Sequence, residues 1–117
     1  MRQQIAAANW KMNLTYQQGE ELLDNILQEN IPFSDHQHAV FAVPFPYLVM
    51  AHRKLDGRKN YAAAAQNCSD QKSGAYTGET SAEMLKSVHI RYCVLGHSER
   101  REYFSEENQS LAKKVAL

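Results

Sequence analysis

Short apolar runs recur along the chain at Ile5–Ala8, Ala39–Val43, Tyr61–Ala65 and Tyr92–Leu95, and none alternates strictly with polar residues. Strands covered on both faces read this way, because each side chain meets apolar surroundings whichever way it points. Between the runs the period becomes helical. Thr15 is followed three residues later by Gln18, which makes a capping box, and Leu22, Leu23, Ile26 and Leu27 then mark one helical face. Pro46 suits the first turn of a second helix, with Leu48, Val49 and Leu55 on its apolar side and Asp56-Gly57 as its stop. A short third helix is expected to start at Thr80, with Glu83 completing another capping box. Ser105 reads as the N-cap of a fourth. There Glu106 and Glu107 sit at the positive end of the dipole, Leu111 and Val115 face the core, and Lys113 and Lys114 lie near the carboxyl end. The predicted order is β-α-β-α-β-α-β-α.

Alternating strands and helices imply an α/β fold with a parallel sheet and right-handed crossovers. Strand starts near residues 5, 39, 61 and 91 give a repeating unit of about 29 residues, against about 31 in a (β/α)8 barrel of about 250 residues. Four units of such a barrel fit this spacing, and so does a small doubly wound sheet. One long polar loop, Ser69–Gly78, interrupts the pattern.

Composition narrows the function more than the fold. Among 117 residues, 13 Lys and Arg balance 13 Asp and Glu, so there is no basic excess to neutralise a phosphate backbone and nucleic acid is not expected as a partner. No apolar stretch approaches the roughly 20 residues of a membrane helix, and the amino terminus lacks the apolar core of a secretory leader. The expected setting is the cytoplasm, with no membrane partner. Cys68 and Cys93 show no C-x-x-C pattern and read as two reduced, partly buried thiols. His36 and His38 make a nominal metal pair, but they precede the second strand, away from the end where chemistry is expected, so no metal is assigned. The sequons at Asn13, Asn67 and Asn108 read as chance in a chain without a leader.

In either α/β architecture, ligands bind at the carboxyl ends of the strands. The residues that follow the first, third and fourth runs are Asn9-Trp10-Lys11-Met12-Asn13, Gln66-Asn67-Cys68 and Gly96-His97-Ser98-Glu99-Arg100-Arg101. Together they offer a cation, an amide and an imidazole to one small anionic substrate. Trp10 reads as packing. The blocks A-A-N-W-K-M-N, A-A-Q-N-C, G-A-Y-T-G-E-T-S and Y-C-V-L-G-H-S-E-R-R-E-Y-F occur in the order and spacing of the triosephosphate isomerase family, which the chain resembles from Ile5 to its end.

The resemblance implies a TIM (β/α)8 barrel, of which residues 1–117 are the amino-terminal part with the first four β/α units. It also implies cofactor-free interconversion of dihydroxyacetone phosphate and glyceraldehyde 3-phosphate through an enediolate, in glycolysis and gluconeogenesis. His97 matches the electrophile that polarises the substrate carbonyl. That family is itself the standing example of a histidine kept neutral by a helix amino terminus, so the mechanism is carried over from it. The polar run Ser98-Glu99-Arg100 agrees, since a short helix starting there would disfavour a positive ring. Lys11 matches the lysine that binds the phosphate and stabilises enediolate charge, Asn9 an amide contacting substrate oxygens, and Glu99 a carboxylate beside the lysine.

Thr77 matches a loop tip that enters a neighbouring subunit, and Glu79 and Arg100 resemble an ion pair supporting that interface; a homodimer is thus implied. The family's glutamate base, mobile lid and late glycine-rich phosphate loops have no counterpart in the 117 residues, so the isolated chain is expected to be nearly inactive. Its unpaired sheet edges are expected to make it self-associate. The rival reading is a non-catalytic half-barrel interaction module, and a coding frame continuing past Leu117 into a glutamate-bearing lid would favour the enzyme. A third reading, an unrelated α/β phosphate-binding protein, requires four coincidental matches.

Overall fold

A computed structural model describes residues 1–117. Strand β1 (Gln4–Asn9) leads to helix α1 (Tyr16–Gln28), and β2 (Gln37–Val43) to a single 3-10 turn (Phe45–Tyr47) that runs into α2 (Leu48–Leu55). Strand β3 (Tyr61–Ala65) precedes α3 (Ala82–Ser87). After β4 (Tyr92–Cys93) come two helices, α4 (Ser98–Tyr103) and α5 (Asn108–Ala116). The four strands are parallel, in the order β1-β2-β3-β4, and form an open half barrel.

Register divides the sheet into two faces. Phe41, Val43, Ala63 and Ala65 point toward the helices and join Leu23, Leu27, Leu48, Met50, Ala51 and Leu55 in a core of 14 buried residues. Val40, Ala42 and Ala64 point the other way and form a cluster of only 3, with Ala62 and Val94 against it. A small residue lets α1 approach the ring of Trp10, just past β1, closely. A Cβ on Gly19 of α1 would lie 2.9 Å from Cζ3 of the buried Trp10 ring, so the helix can sit at this distance only because that position has no side chain.

Several sequence expectations are corrected. All six residues of β1 are exposed, Ile5 by 56%, so the strand is not covered on both faces. It pairs only with β2, and α1 packs on α2 and the 3-10 turn instead of lying across it. The capping box of α1 forms as expected. That of α3 does not: Ser81, not Thr80, is the N-cap and accepts from the Met84 N–H at 3.1 Å, while the Thr80 carbonyl accepts from the Ser69 N–H at 2.8 Å and closes the base of the polar loop.

Ser105 has φ 53, incompatible with the extended backbone of an N-cap, and Glu107 takes that place without a side-chain bond. On α5 it is Lys114 that is buried, whereas Val115 is 75% exposed. On α2, Val49 faces solvent and Met50 and Ala51 fill the core. The fourth strand stops at Cys93, before Leu95, and the following turn adds α4 to the expected order.

The sequons are engaged within the fold: Asn13 Nδ2 donates to the Trp10 carbonyl, Asn67 is buried, and Asn108 Oδ1 accepts from Arg101. Cys68 and Cys93 are free thiols. Burial, followed by the neighbouring Cys68, pushes the Cys93 thiol up to about 12, which makes it a poor nucleophile. His36 bonds to Ser34 Oγ and His38, inside β2, to Gln3. No helix is long and apolar enough to cross a membrane.

Candidate active site

The sheet's carboxyl end gathers the residues that follow β1, β3 and β4. Asn9 closes β1, and its Oδ1 accepts the Lys11 N–H at 2.9 Å. This local bond helps hold Lys11 at φ 56, a left-handed conformation that costs a non-glycine residue about 1–3 kcal/mol. The strained turn carries the lysine side chain to the first turn of α4, where its Nζ meets Glu99 Oε1 at 2.7 Å. The hydrogen bond and charge of Glu99 raise the Lys11 pKa, and the bond to Lys11 holds the Glu99 carboxyl below its ordinary value. Both groups therefore remain charged through the neutral range. Their exposure means that the pair matters for the placement of charge and not for folding.

His97 is the N-cap of α4, and its Nδ1 accepts from the Glu99 N–H at 3.1 Å. A ring nitrogen that accepts a hydrogen bond carries no proton, so this bond leaves the proton on Nε2. Glu99 Oε2 lies 3.6 Å from the same Nδ1, a contact that would strengthen only with a protonated ring. The shorter amide bond governs, because it forms part of the helix cap. The sequence placed a short helix after His97, and the cap gives the reason the ring is held there.

Gly96, just before the histidine, has φ 65, and a Cβ on it would lie 2.8 Å from Leu111 Cδ1 and 3.2 Å from Arg101 Nη2. The backbone thus passes close beneath α5, and the Arg101 Nε donates to the Gly96 carbonyl at 3.1 Å.

Of the residues singled out from sequence, Lys11, Glu99 and His97 are brought together, and Asn9 supports the Lys11 turn. Thr77 and Glu79 lie apart, in a run from Lys72 to Glu79 that is exposed throughout. Arg100 is paired within the chain, its Nε donating to Glu106 Oε2 at 2.8 Å, and its guanidinium lies 4.7 Å over the Phe104 ring.

The structure adds residues whose roles the sequence did not indicate. Gln66 Nε2 donates to the Lys11 carbonyl at 2.8 Å and the Ala42 carbonyl at 3.1 Å, joining the ends of β1, β2 and β3. Its position directly after an apolar run was the available signal. Lys114 reaches Asn67 Oδ1 at 2.7 Å and Glu106 Oε2 at 2.6 Å, both inside the protein. The sequence placed Lys114 only near the carboxyl end of a helix, and its place three residues after Leu111, on the apolar face, was the one sign of burial.

A cavity of about 870 Å³ lies elsewhere, at the amino ends of β2, β3 and β4. Its His52 and His89 rings stack 5.4 Å apart, and with Lys86 they lie at the carboxyl ends of α2 and α3, where the helix dipoles favour cations. Concavity alone does not make it the reacting site, since the Lys11–Glu99–His97 cluster is at the opposite end of the sheet.

A family model described as triosephosphate isomerase matches residues 4–117. The chain is 42% identical over its whole length to a triosephosphate isomerase of Cytophaga hutchinsonii, and over 98% of its length it is 43% identical to that of Amoebophilus asiaticus. The Porphyromonas gingivalis triosephosphate isomerase is 42% identical over the whole chain. In each case the alignment covers 46% of the relative, so the chain spans under half the length of these proteins. Its four parallel strands correspond to the first half of a TIM barrel, and the chain belongs to the triosephosphate isomerase family.

Proposed function

We propose that residues 1–117 form the amino-terminal part of a single TIM-barrel domain and supply the electrophilic and phosphate-binding half of a triosephosphate isomerase site. The observation that carries this reading is the Lys11–Glu99–His97 cluster, in which the imidazole is fixed as a hydrogen-bond donor through Nε2. In the proposed reaction, Nε2–H polarises the carbonyl of dihydroxyacetone phosphate and shuttles protons between the enediolate oxygens. The Lys11 ammonium holds the phosphate and stabilises developing negative charge, Asn9 contacts substrate oxygens, and Glu99 keeps the ammonium aimed at the site. No cofactor is required for such an acid–base sequence.

The carbon-bound proton needs a base. No carboxylate among the 117 residues matches the family's glutamate motif, so this group would come from sequence outside them. The purified 117-residue chain should therefore convert dihydroxyacetone phosphate at little above the background rate. Near-native turnover, with contaminating host enzyme excluded, would overturn the division of labour. Nuclear magnetic resonance tests the binding half separately: dihydroxyacetone phosphate should shift the Lys11 and His97 signals, and Lys11→Met should abolish the shift without lowering the melting temperature.

A homodimer is part of the same reading, with Thr77, Glu79 and Arg100 at its interface. The exposed run from Lys72 to Glu79, closed at its base by the Ser69–Thr80 bond, has the form of a compact projecting loop. Met12, Tyr103 and Phe104, 95%, 70% and 64% exposed, add apolar surface near the site in sequence. The cytoplasm is the proposed setting, in keeping with two free thiols. The alternative of a non-catalytic interaction module draws on the open inner face of the sheet, and it predicts no effect of dihydroxyacetone phosphate on Lys11 or His97.

A further inference from the structure

Four polar side chains run from the end of β3 to the helix that His97 caps. The buried Lys114 of α5 donates from Nζ to Asn67 Oδ1 at 2.7 Å and to Glu106 Oε2 at 2.6 Å. The same Glu106 oxygen accepts from Arg100 Nε, in α4, at 2.8 Å. The Lys114 and Glu106 side chains are 8% and 7% exposed, so each charge has been removed from water and depends on its partners. A helix of six residues with no buried residue of its own cannot be oriented by apolar packing. This one is anchored by charge-assisted bonds instead, which are short and directional.

We propose that Glu106 and Lys114 are positioning residues for His97, fixing α4 and its capping imidazole in register with the end of β3. The proposal rests on the reading of His97 as the electrophile. The path is physical at each step. Asn67 follows Gln66, which ties the carboxyl ends of β1 and β2 through the Lys11 and Ala42 carbonyls. Lys114 fastens α5 to Asn67, Glu106 joins Lys114 to Arg100, and Arg100 lies in the same six-residue helix that His97 caps. Arg100 N–H also donates to the His97 carbonyl at 2.9 Å. The network thus links both sides of the site, the lysine turn and the histidine cap, through one buried ammonium. Apolar packing alone would not set this distance, because it is tolerant of small slides where a shared hydrogen-bonded oxygen is not.

Glu106 also provides a clean variant. Its Oε1 is buried with no donor, while Oε2 carries both cations. Glu106→Gln can keep an oxygen at the Oε2 position and put its amide nitrogen where no donor bond is lost, so the charge is removed with little change of shape. Lys114→Met removes the ammonium at similar side-chain length.

The test measures the ring-nitrogen signals of His97 and hydrogen exchange at the Glu99 amide in the protein without ligand, with Leu55→Ala as a destabilised control in the core distant from the network. Lys114→Met and Glu106→Gln should displace the His97 signals and speed Glu99 exchange by about tenfold. Leu55→Ala should lower the melting temperature while leaving the His97 signals in place. The inference is overturned if the His97 signals stay fixed in the folded network variants, or if Leu55→Ala moves them equally. Should Lys114→Met fail to fold, Glu106→Gln decides alone. None of these measurements uses substrate, so failure of the isomerase reading would appear separately, as absence of the Lys11-dependent response to dihydroxyacetone phosphate.

Discussion

The two faces of the sheet are built from similar residues and have opposite fates. On the helix side, Phe41, Val43 and Ala65 meet Leu23, Leu48 and Leu55 and are sealed from water. On the inner side, Val40, Ala42 and Ala64 make a small cluster flanked by Ile5 and Tyr92, which are 56% and 46% exposed. An apolar run in a strand therefore records a requirement for burial on each face, and each face needs its own covering element. The helices contained in these residues complete one face. Relatives about twice as long have chain left over that can complete the other.

Substitutions can break this comparison or sharpen it. The largest effect is expected at Leu23, fully buried on the helix side: Leu23→Ala should destabilise the protein by about 2–5 kcal/mol in urea unfolding, through lost transfer energy and an unfilled cavity. Next is the close approach beneath α5. Gly96→Ala should lose about 1–3 kcal/mol, since an alanine there is strained at positive φ and meets Leu111. A loss as small as that of a surface change would show that α5 yields easily.

An effect of similar size should follow pH. Burial pushes the Glu106 carboxyl up, but the bonds and charges of Lys114 and Arg100 outweigh it and hold the group below its ordinary value. Its stabilisation is therefore present above the usual carboxylate range of the unfolded chain and is lost as pH falls through the depressed native value. Thermal melts from pH 7 down to pH 2 should show Glu106→Gln less sensitive to acid than the parent, with about 1–3 kcal/mol separating them at neutral pH. An unchanged acid profile would mean that the carboxylate is not engaged in solution.

The smallest effect belongs to the inner face. Ile5→Ala should change stability by less than about 0.5 kcal/mol, as expected for a side chain already in water. A loss close to that of Leu23→Ala would reveal that this face is covered in solution, as self-association through the sheet would do. Sedimentation of the same variants identifies that case directly.

What could be read from sequence follows the same division. The strands, the Thr15 cap and the Lys11 and His97 positions were legible because each depends on near neighbours in the chain or on a block of matching residues. The exposure of β1 was not, since an apolar run looks the same whether or not its cover is present. Caps failed where tertiary contacts competed: the Thr80 carbonyl is committed to Ser69, and Ser105 is turned by the path that brings Glu106 inward. Lys114 was missed for a similar reason. Its burial depends on Asn67, 47 residues away, a distance over which local patterning carries no information.

The unequal edges of the sheet also bear on how a closed barrel would assemble. Strand β1 presents six residues for pairing and β4 only two. In a barrel, the neighbour of β1 on its open side comes from the far end of the chain, so this pairing closes the longest loop and meets the largest entropic penalty. The longer ladder is thus on the edge where ring closure is hardest. The short edge faces the next unit in sequence, which can arrive with little loss of chain freedom.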